Sequence, residues 1–362
     1  MKKPIIFSFF SGSGFLDLGF EHSGFDVQFV NEYYEPFLKA YKFSRKKMGI
    51  PEPKYGYYLG DIRDITTHEK ESFSKKVTDA KKNSLVGFIG GPPCPDFSVG
   101  GKNKGEHGEN GVLTKAYVDT IMEFHPDFFV FENVKGLWRT KKHREFYDRM
   151  KETLSQEYVL TDRLTNSIEY GAPQDRDRIF LFGIKKEINK KGIEFPWSTH
   201  IKYDRDIVLS KSIWPSTDGL ENENLTYASW QKDITVSHWF RVNNVDLHPN
   251  SKHHFTPRSG LSKFQTIKEG DVSKKSYKRL HRDRYSPTAA YGNNEVHVHP
   301  YLARRISASE AMAIQSLPID FELPQDMSLT DMFKTIGNGV PYLAAKGLAA
   351  TVYDYLHQLN KI

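Results

Sequence analysis

The chain carries one cysteine, framed by prolines in Gly90-Gly91-Pro92-Pro93-Cys94-Pro95-Asp96-Phe97-Ser98. A thiolate is an intrinsically strong nucleophile, able to form covalent intermediates. A lone cysteine among 362 residues excludes an intrachain disulfide and a cysteine-based metal cluster, and most such cysteines are small core fillers. The prolines argue against filler. They fix φ and bias Pro93 and Cys94 toward extended backbone, which holds the thiol on a stiff loop rather than in a helix. Gly100-Gly101-Lys102-Asn103-Lys104-Gly105-Glu106-His107-Gly108 follows, polar and glycine-rich, as suits a loop that closes over a substrate.

Three other groups could work with that thiol. The stretch from Phe7 to Asp17, containing Phe10, Ser11, Gly12, Ser13, Gly14 and Phe15, reads as a strand, a glycine turn and a helix start, where backbone N–H groups approach a ligand closely. A dinucleotide fingerprint would need a third glycine where Asp17 stands, and an acid there repels pyrophosphate, so an adenosyl ligand without phosphate suits the turn better. Glu32, closing a second strand, can accept from both ribose hydroxyls, and Asp61, just before Ile62, from an adenine amine, although ordinary surface acids are an equal alternative. Arg176 and Arg178 lie two apart entering an apolar strand and share a face. A plain salt-bridge ladder with Asp175 and Asp177 is the other possibility.

These residues need a scaffold that presents strand ends. Apolar runs at 5–10, 26–31, 85–89 and 128–131 alternate with amphipathic stretches at 14–23, 36–46, 113–124 and 142–155, the pattern of a doubly wound α/β domain with a mainly parallel sheet. Open sheets of that kind place ligands at the carboxyl ends of their strands. Segments 158–166 and 178–184 read as a hairpin-like pair. From about 185 to 300 the sequence is irregular and rich in Trp, Asn, His and Lys, a second and smaller domain. Helical periodicity returns at 309–316 and 340–358, with Gly337-Asn338-Gly339 just before the last helix.

Composition bounds the rest. With 38% hydrophobic residues the chain can bury two cores, and a formal charge of +6 is compatible with a polyanionic partner without requiring one. The apolar start is broken at Ser11 and lacks a small-residue cleavage site, so a signal peptide is not expected, and no stretch is long enough to span a bilayer. A soluble, cytoplasmic protein follows as the expectation. Lys274, Lys275, Lys278, Arg279, Arg282 and Arg284 form a basic run that either neutralises phosphates or is simply a solvated face. His253-His254 lacks a third ligand, and no metal site is expected.

The motifs Phe10-Ser11-Gly12-Ser13-Gly14, Pro92-Pro93-Cys94-Pro95-Asp96-Phe97-Ser98, Glu132-Asn133-Val134 and Gln174-Asp175-Arg176-Asp177-Arg178 occur in the order seen in cytosine-C5 DNA methyltransferases, which the chain resembles. Arg304-Arg305-Ile306-Ser307-Ala308-Ser309-Glu310 and Gly337-Asn338-Gly339-Val340-Pro341 look like that family's closing motifs. Only about 185–285 is uncovered.

The resemblance implies a Rossmann-like fold that binds S-adenosylmethionine and a target recognition domain that reads double-stranded DNA. Residues 1–185 with 327–362 would form the former, including Pro93 and Asn338 among the donor contacts. Residues 186–326, with the Arg304–Glu310 motif, would form the latter. Cys94 would add to C6 of a base swung out of the duplex, and Glu132, buried and with a raised pKa, would stabilise N3. Arg178 would contact the flipped base, and Arg176 the catalytic loop or a phosphate. Asn243, Asn244, Arg258 and Gln265 are side chains able to read base edges. The absence of long extensions resembles bacterial restriction-modification enzymes, acting as a monomer with a separate cognate endonuclease.

The chain departs from the pattern in places. Ser8 stands where an acid is common, Phe15 where a second glycine is common, Pro95 where glutamine most often follows the cysteine, and Ser309 where arginine is frequent. A tRNA cytosine methyltransferase of the same family shares the Cys and Glu, but that branch carries a Cys-Phe-Thr tripeptide absent here. A catalytically dead DNA-binding relative is the other rival, and the joint presence of Cys94, Glu132 and Arg178 argues against it.

Overall fold

Seven strands form one sheet: β1 (Ile5–Phe9), β2 (Asp26–Glu32), β3 (Tyr57–Leu59), β4 (Val86–Gly90), β5 (Phe128–Val134), β6 (Tyr158–Asn166) and β7 (Asp177–Lys185), in the order β3-β2-β1-β4-β5-β7-β6. The computed structural model describes residues 3–93, 109–139, 141–215, 228–256, 261–274, 276–288, 291 and 297–361. Cys94, the glycine-rich stretch after it, Arg258 and Lys275 lie outside the described residues. The first five strands in spatial order run parallel, while β7 is antiparallel to both β5 and β6, so the expected parallel core and hairpin-like couple are both present.

The strands are apolar throughout because both faces are covered, and the period of two decides which side chain meets which layer. Ile5, Phe7 and Phe9 join Phe88, Phe129 and Leu181 beneath α3 (Ile62–Ile65), α4 (Lys70–Lys81), α5 (Glu109–Phe124) and α7 (Lys141–Leu154). Ile6, Ile89, Val130 and Phe182 point the other way, under α1 (Phe15–Glu21), α2 (Glu35–Lys47) and α14 (Tyr342–Gln358). A short α6 (Lys135–Arg139) links β5 to α7. Gly19 of α1 is the contact that brings α14 in: a Cβ there would lie 2.5 Å from the Ala345 carbonyl carbon.

Between residues 186 and 307 the described elements are short: α8 (Arg205–Val208), α9 (Ser229–Asp233), α10 (Val236–Val242), α11 (Leu261–Thr266), and a parallel pair β8 (Lys278–Arg279) and β9 (His297–Val298). This region does not have its core to itself. Val236 and Phe240 of α10 pack with Phe15 and Leu18 of α1, Met312 of α12 (Ala308–Ile314), and Phe333 and Ile336 of α13 (Leu329–Asn338). The helix that the Arg304–Glu310 motif starts, assigned by the sequence to the second domain, packs both against α10 of that region and against α13.

The motif itself is a helix start. Ser307 Oγ accepts from Glu310 N, Glu310 Oε2 accepts from Ser307 N at 2.7 Å, and Arg304 donates to both oxygens of the nearly enclosed Glu310 at 2.9 and 2.7 Å. Gly337 and Asn338 lie just before the last helix, as expected, and form the final turn of α13.

A Gly→Ala change inside a helix usually stabilises. At Gly19 the sign reverses, because the new methyl meets backbone: Gly19→Ala should destabilise by about 1–3 kcal/mol, read as a lower midpoint in urea unfolding.

Candidate active site

The chain leaves β1 for β2 on one side and β4 for β5 on the other, so the carboxyl ends of β1 and β4 flank the switch point where open α/β sheets bind ligands. The turn after β1 is shaped for close approach. Phe10, Gly12 and Gly14 have φ of 52°, 57° and 82°, and a bulky residue in the left-handed region is a strained position of the kind that clusters at functional sites. Ser11 N donates to Asn31 O at 3.1 Å, Gly12 N to Glu32 Oε2 at 2.7 Å, and the Ser13 and Thr335 hydroxyls meet at 2.7 Å. Above Gly12 there is room: a Cβ there would meet only Thr335 Oγ1, at 4.0 Å.

Glu32 closes β2 with its carboxylate buried between Gly12 N and Tyr34 N, the latter at 2.8 Å. Burial pushes its pKa up against the pull of those amides, and each oxygen keeps a lone pair for a ligand hydroxyl. Asn31 Nδ2 donates to Tyr58 O and Gly60 O and so sets the end of β3. Asp61 then caps α3 by accepting from Arg63 N, and the Arg63 side chain grips both of its oxygens, at 3.0 and 2.6 Å, holding the carboxyl below the usual range. Ile62 is buried, while Pro93 and Asn338 are exposed.

On the other side of the crevice, alternation turns Glu132 of β5 and Arg178 of β7 to the same face as Val130 and Phe180. Arg178 Nε lies 2.7 Å from Glu132 Oε1, both side chains nearly enclosed. Burial raises the Glu132 pKa, with Arg178 pulling it down less strongly. Gly91 makes this possible, because a Cβ there would lie 2.4 Å from Glu132 Oε2. The carboxylate therefore rests on the segment that leads into Cys94, whose own position lies outside the described residues. Arg176 is also brought near, but it is fully buried and donates to Gly337 O at 2.6 Å and to Gln174 Oε1. Gln174 in turn donates to Ile314 O and Gln315 Oε1, and Gln315 to Ile336 O. A phosphate is out of reach of such a side chain, so Arg176 ties the start of β7 to the last turn of α13.

Other expected contacts are spent elsewhere. Arg279 is buried and donates to the carbonyls of His299, Pro300, Leu302 and Phe264, and Arg282 pairs with Glu269, so much of the 274–284 basic run holds its own region together. Asn243 is buried on Trp239 O, which removes it as a base reader, while Gln265 is exposed on α11. Sequence reasoning missed Thr335 and Gln315, which act only through contacts with distant residues. It also missed Lys135, Arg139, Lys141 and Arg144, which follow Glu132-Asn133-Val134 beyond the carboxyl end of β5. Arg139 and Lys141 are exposed there, and the run of bases without an acid was legible.

The strand order and its crevice define a mixed α/β fold of the kind used by methyltransferases. A solved structure assigned as a DNA modification methyltransferase of an E. coli prophage superposes with a TM-score of 0.70 at 20% identity, over 98% of this chain and 100% of that one. The C-5 cytosine-specific DNA methylase family model matches residues 5–354, and the chain belongs to that family. It is 60% identical to the Type II methyltransferase M.NmeDI of Neisseria meningitidis serogroup C, over 98% of this chain and 84% of the relative. It is 28% identical to M.FnuDI of Fusobacterium nucleatum, over 96% and 95% of the two chains. The protein is thus a DNA (cytosine-5-)-methyltransferase, and the family implies S-adenosylmethionine as donor.

Because Glu132 rests on Gly91, Gly91→Ala should displace the carboxylate and lower the methylation rate by roughly tenfold to a hundredfold. Donor affinity, measured by calorimetry with S-adenosylhomocysteine, should stay near that of the parent.

Proposed function

We propose that this enzyme methylates C5 of cytosine within a specific sequence of double-stranded DNA, acting on a base swung out of the duplex and bonded transiently to Cys94. The observation that carries this is the enclosed Glu132–Arg178 pair resting on Gly91, three residues before the cysteine.

Cytosine C5 is too weak a nucleophile while the ring is aromatic. Cys94 Sγ bonds to C6, the displaced electron pair makes C5 enamine-like, and Glu132 donates to or protonates N3 to spread the developing charge. Burial suits Glu132 to that task by favouring its protonated form. Arg178 holds the carboxylate and the base edge in place. After C5 is methylated, a base, an ordered water being suited to the role, removes the C5 proton. The electrons restore the C5–C6 double bond and Cys94 leaves as thiolate.

The crevice fits the family's donor. The open space above Gly12, the buried Glu32 carboxylate and the acids near the turn accept an adenosyl group and disfavour phosphate. Phe10 to Phe15, Glu32, Asp61, Ile62, Pro93 and Asn338 would hold it. When bound, S-adenosylmethionine supplies an electrophilic methyl group.

Extruding a base costs a few kcal/mol of stacking and pairing, which backbone contacts must offset. Arg139 and Lys141, exposed beside Glu132's strand end, are suited to phosphates. Residues 186–326 would read the sequence, joined to the donor-binding part through the core shared by α10, α12 and α13. Among the described residues no helix is long and apolar enough to cross a membrane. The enzyme would act as a monomer on DNA in the bacterial cytoplasm, alongside a separate endonuclease of the same specificity.

Duplex DNA carrying 5-fluorocytosine at the target should trap a covalent adduct that Cys94→Ser abolishes, and bisulfite sequencing of a plasmid from expressing cells should report the modified base and its context. A fully active Cys94→Ser enzyme would sink the mechanism. Arg139→Ala with Lys141→Ala should weaken DNA binding evenly across sequences and reduce the salt slope of log K by about 0.9 for each phosphate that is no longer neutralised.

A further inference from the structure

Beneath the donor turn lies a set of buried charges that the reaction does not use. Asp17 of α1 is 1% exposed, accepts from the Ser8 hydroxyl at 2.8 Å, and has the buried Tyr41 beside it. Arg45 of α2 is also buried. Its guanidinium sits 4.2 Å over the Tyr41 ring and pairs with Glu21, with Nη2 2.9 Å from Oε2. The same guanidinium donates from Nη2 to Gly14 O at 2.6 Å and from Nη1 to Ser13 O at 3.5 Å.

Buried ion pairs add little stability over apolar packing, and the inner faces of α1 and α2 are otherwise apolar, with Leu16, Phe20 and Leu38. What a guanidinium does that a leucine cannot is bond two consecutive carbonyls of the turn. Ser13 and Gly14 stand between the open space above Gly12 and the start of α1, so fixing their peptide planes fixes the side of the turn that faces the crevice. Ser8 Oγ of β1 in turn donates to the carboxylate of Asp17 and so ties it to the strand that leads into the turn.

We propose that Arg45, Asp17 and Glu21 are positioning residues for the methyl donor: Arg45 holds the Ser13–Gly14 backbone in its binding conformation, and the two acids of α1 hold the guanidinium there. This rests on the crevice after β1 being the donor site. Burial lifts the Asp17 carboxyl to about 6 despite Arg45, so the arrangement is not one that stability alone would favour.

The test uses the full chain. S-adenosylhomocysteine affinity is measured by calorimetry, duplex affinity without donor by gel shift, and KM and kcat by methyl transfer, with a thermal melt for each variant. Arg45→Met and Asp17→Ser should each raise the donor KM and Kd by roughly tenfold to a hundredfold, with little change in kcat at saturating donor or in duplex affinity. Moving the acid, Ser8→Asp with Asp17→Ser, should return donor affinity close to the parent value, because the two side chains already share one space. Should Arg45→Met fail to fold, Arg45→Lys and the exchanged pair decide. Parent donor affinity in folded Arg45→Met or Arg45→Lys, equal losses of donor and duplex binding, or an exchanged pair no better than Asp17→Ser would each overturn the proposal. A parent enzyme that binds no S-adenosylhomocysteine would instead overturn the donor site itself.

Discussion

Glu132 and Arg178 meet across neighbouring strands of opposite direction, each almost wholly enclosed. An unpaired charge at that depth would be strongly unfavourable, so the pair constrains what surrounds it. β7 must run antiparallel to β5 and in register, which the β6 hairpin secures. Gly91 must lack a side chain, since the carboxylate occupies the space where one would be. The proposed chemistry calls for a carboxyl that keeps a proton more readily than an exposed one, and enclosure rather than a neighbouring acid pushes the Glu132 pKa that way.

Much of this could be read from the residues. The long strands were visible as runs bounded by turn chemistry, Arg178, Glu32 and the Ser11–Gly14 turn were candidates by type and place, and Glu132 entered only through the family resemblance. β3 was not visible, because three half-buried residues on a sheet edge carry no periodic signal. α4 was overlooked although Phe73, Val77 and Ala80 repeat at helical spacing, its many lysines having obscured them.

What could not be read was long-range. The relay from Arg176 through Gln174 and Gln315 to the end of α13 joins residues some 140 positions apart, by side chains whose types are common everywhere. Arg279 and Asn243 show the converse. By composition they belonged to a nucleic-acid surface, yet in the fold Arg279 satisfies loop carbonyls of His299, Pro300 and Leu302, and Asn243 folds back onto the last turn of its own helix at Trp239 O. A charged residue in loop-rich sequence is as apt to replace missing secondary structure as to meet a ligand.

The contact between Ser13 and Thr335 spans 322 positions. At the usual pace of synthesis a ribosome needs roughly 15 to 60 seconds to cover that distance. Throughout that interval the newborn polypeptide has its first turn but not the wall that completes it, and the apolar flank of α1 awaits α14. A polypeptide that stops short of Thr335 would keep the turn after β1 and lack the hydroxyl that closes its far side.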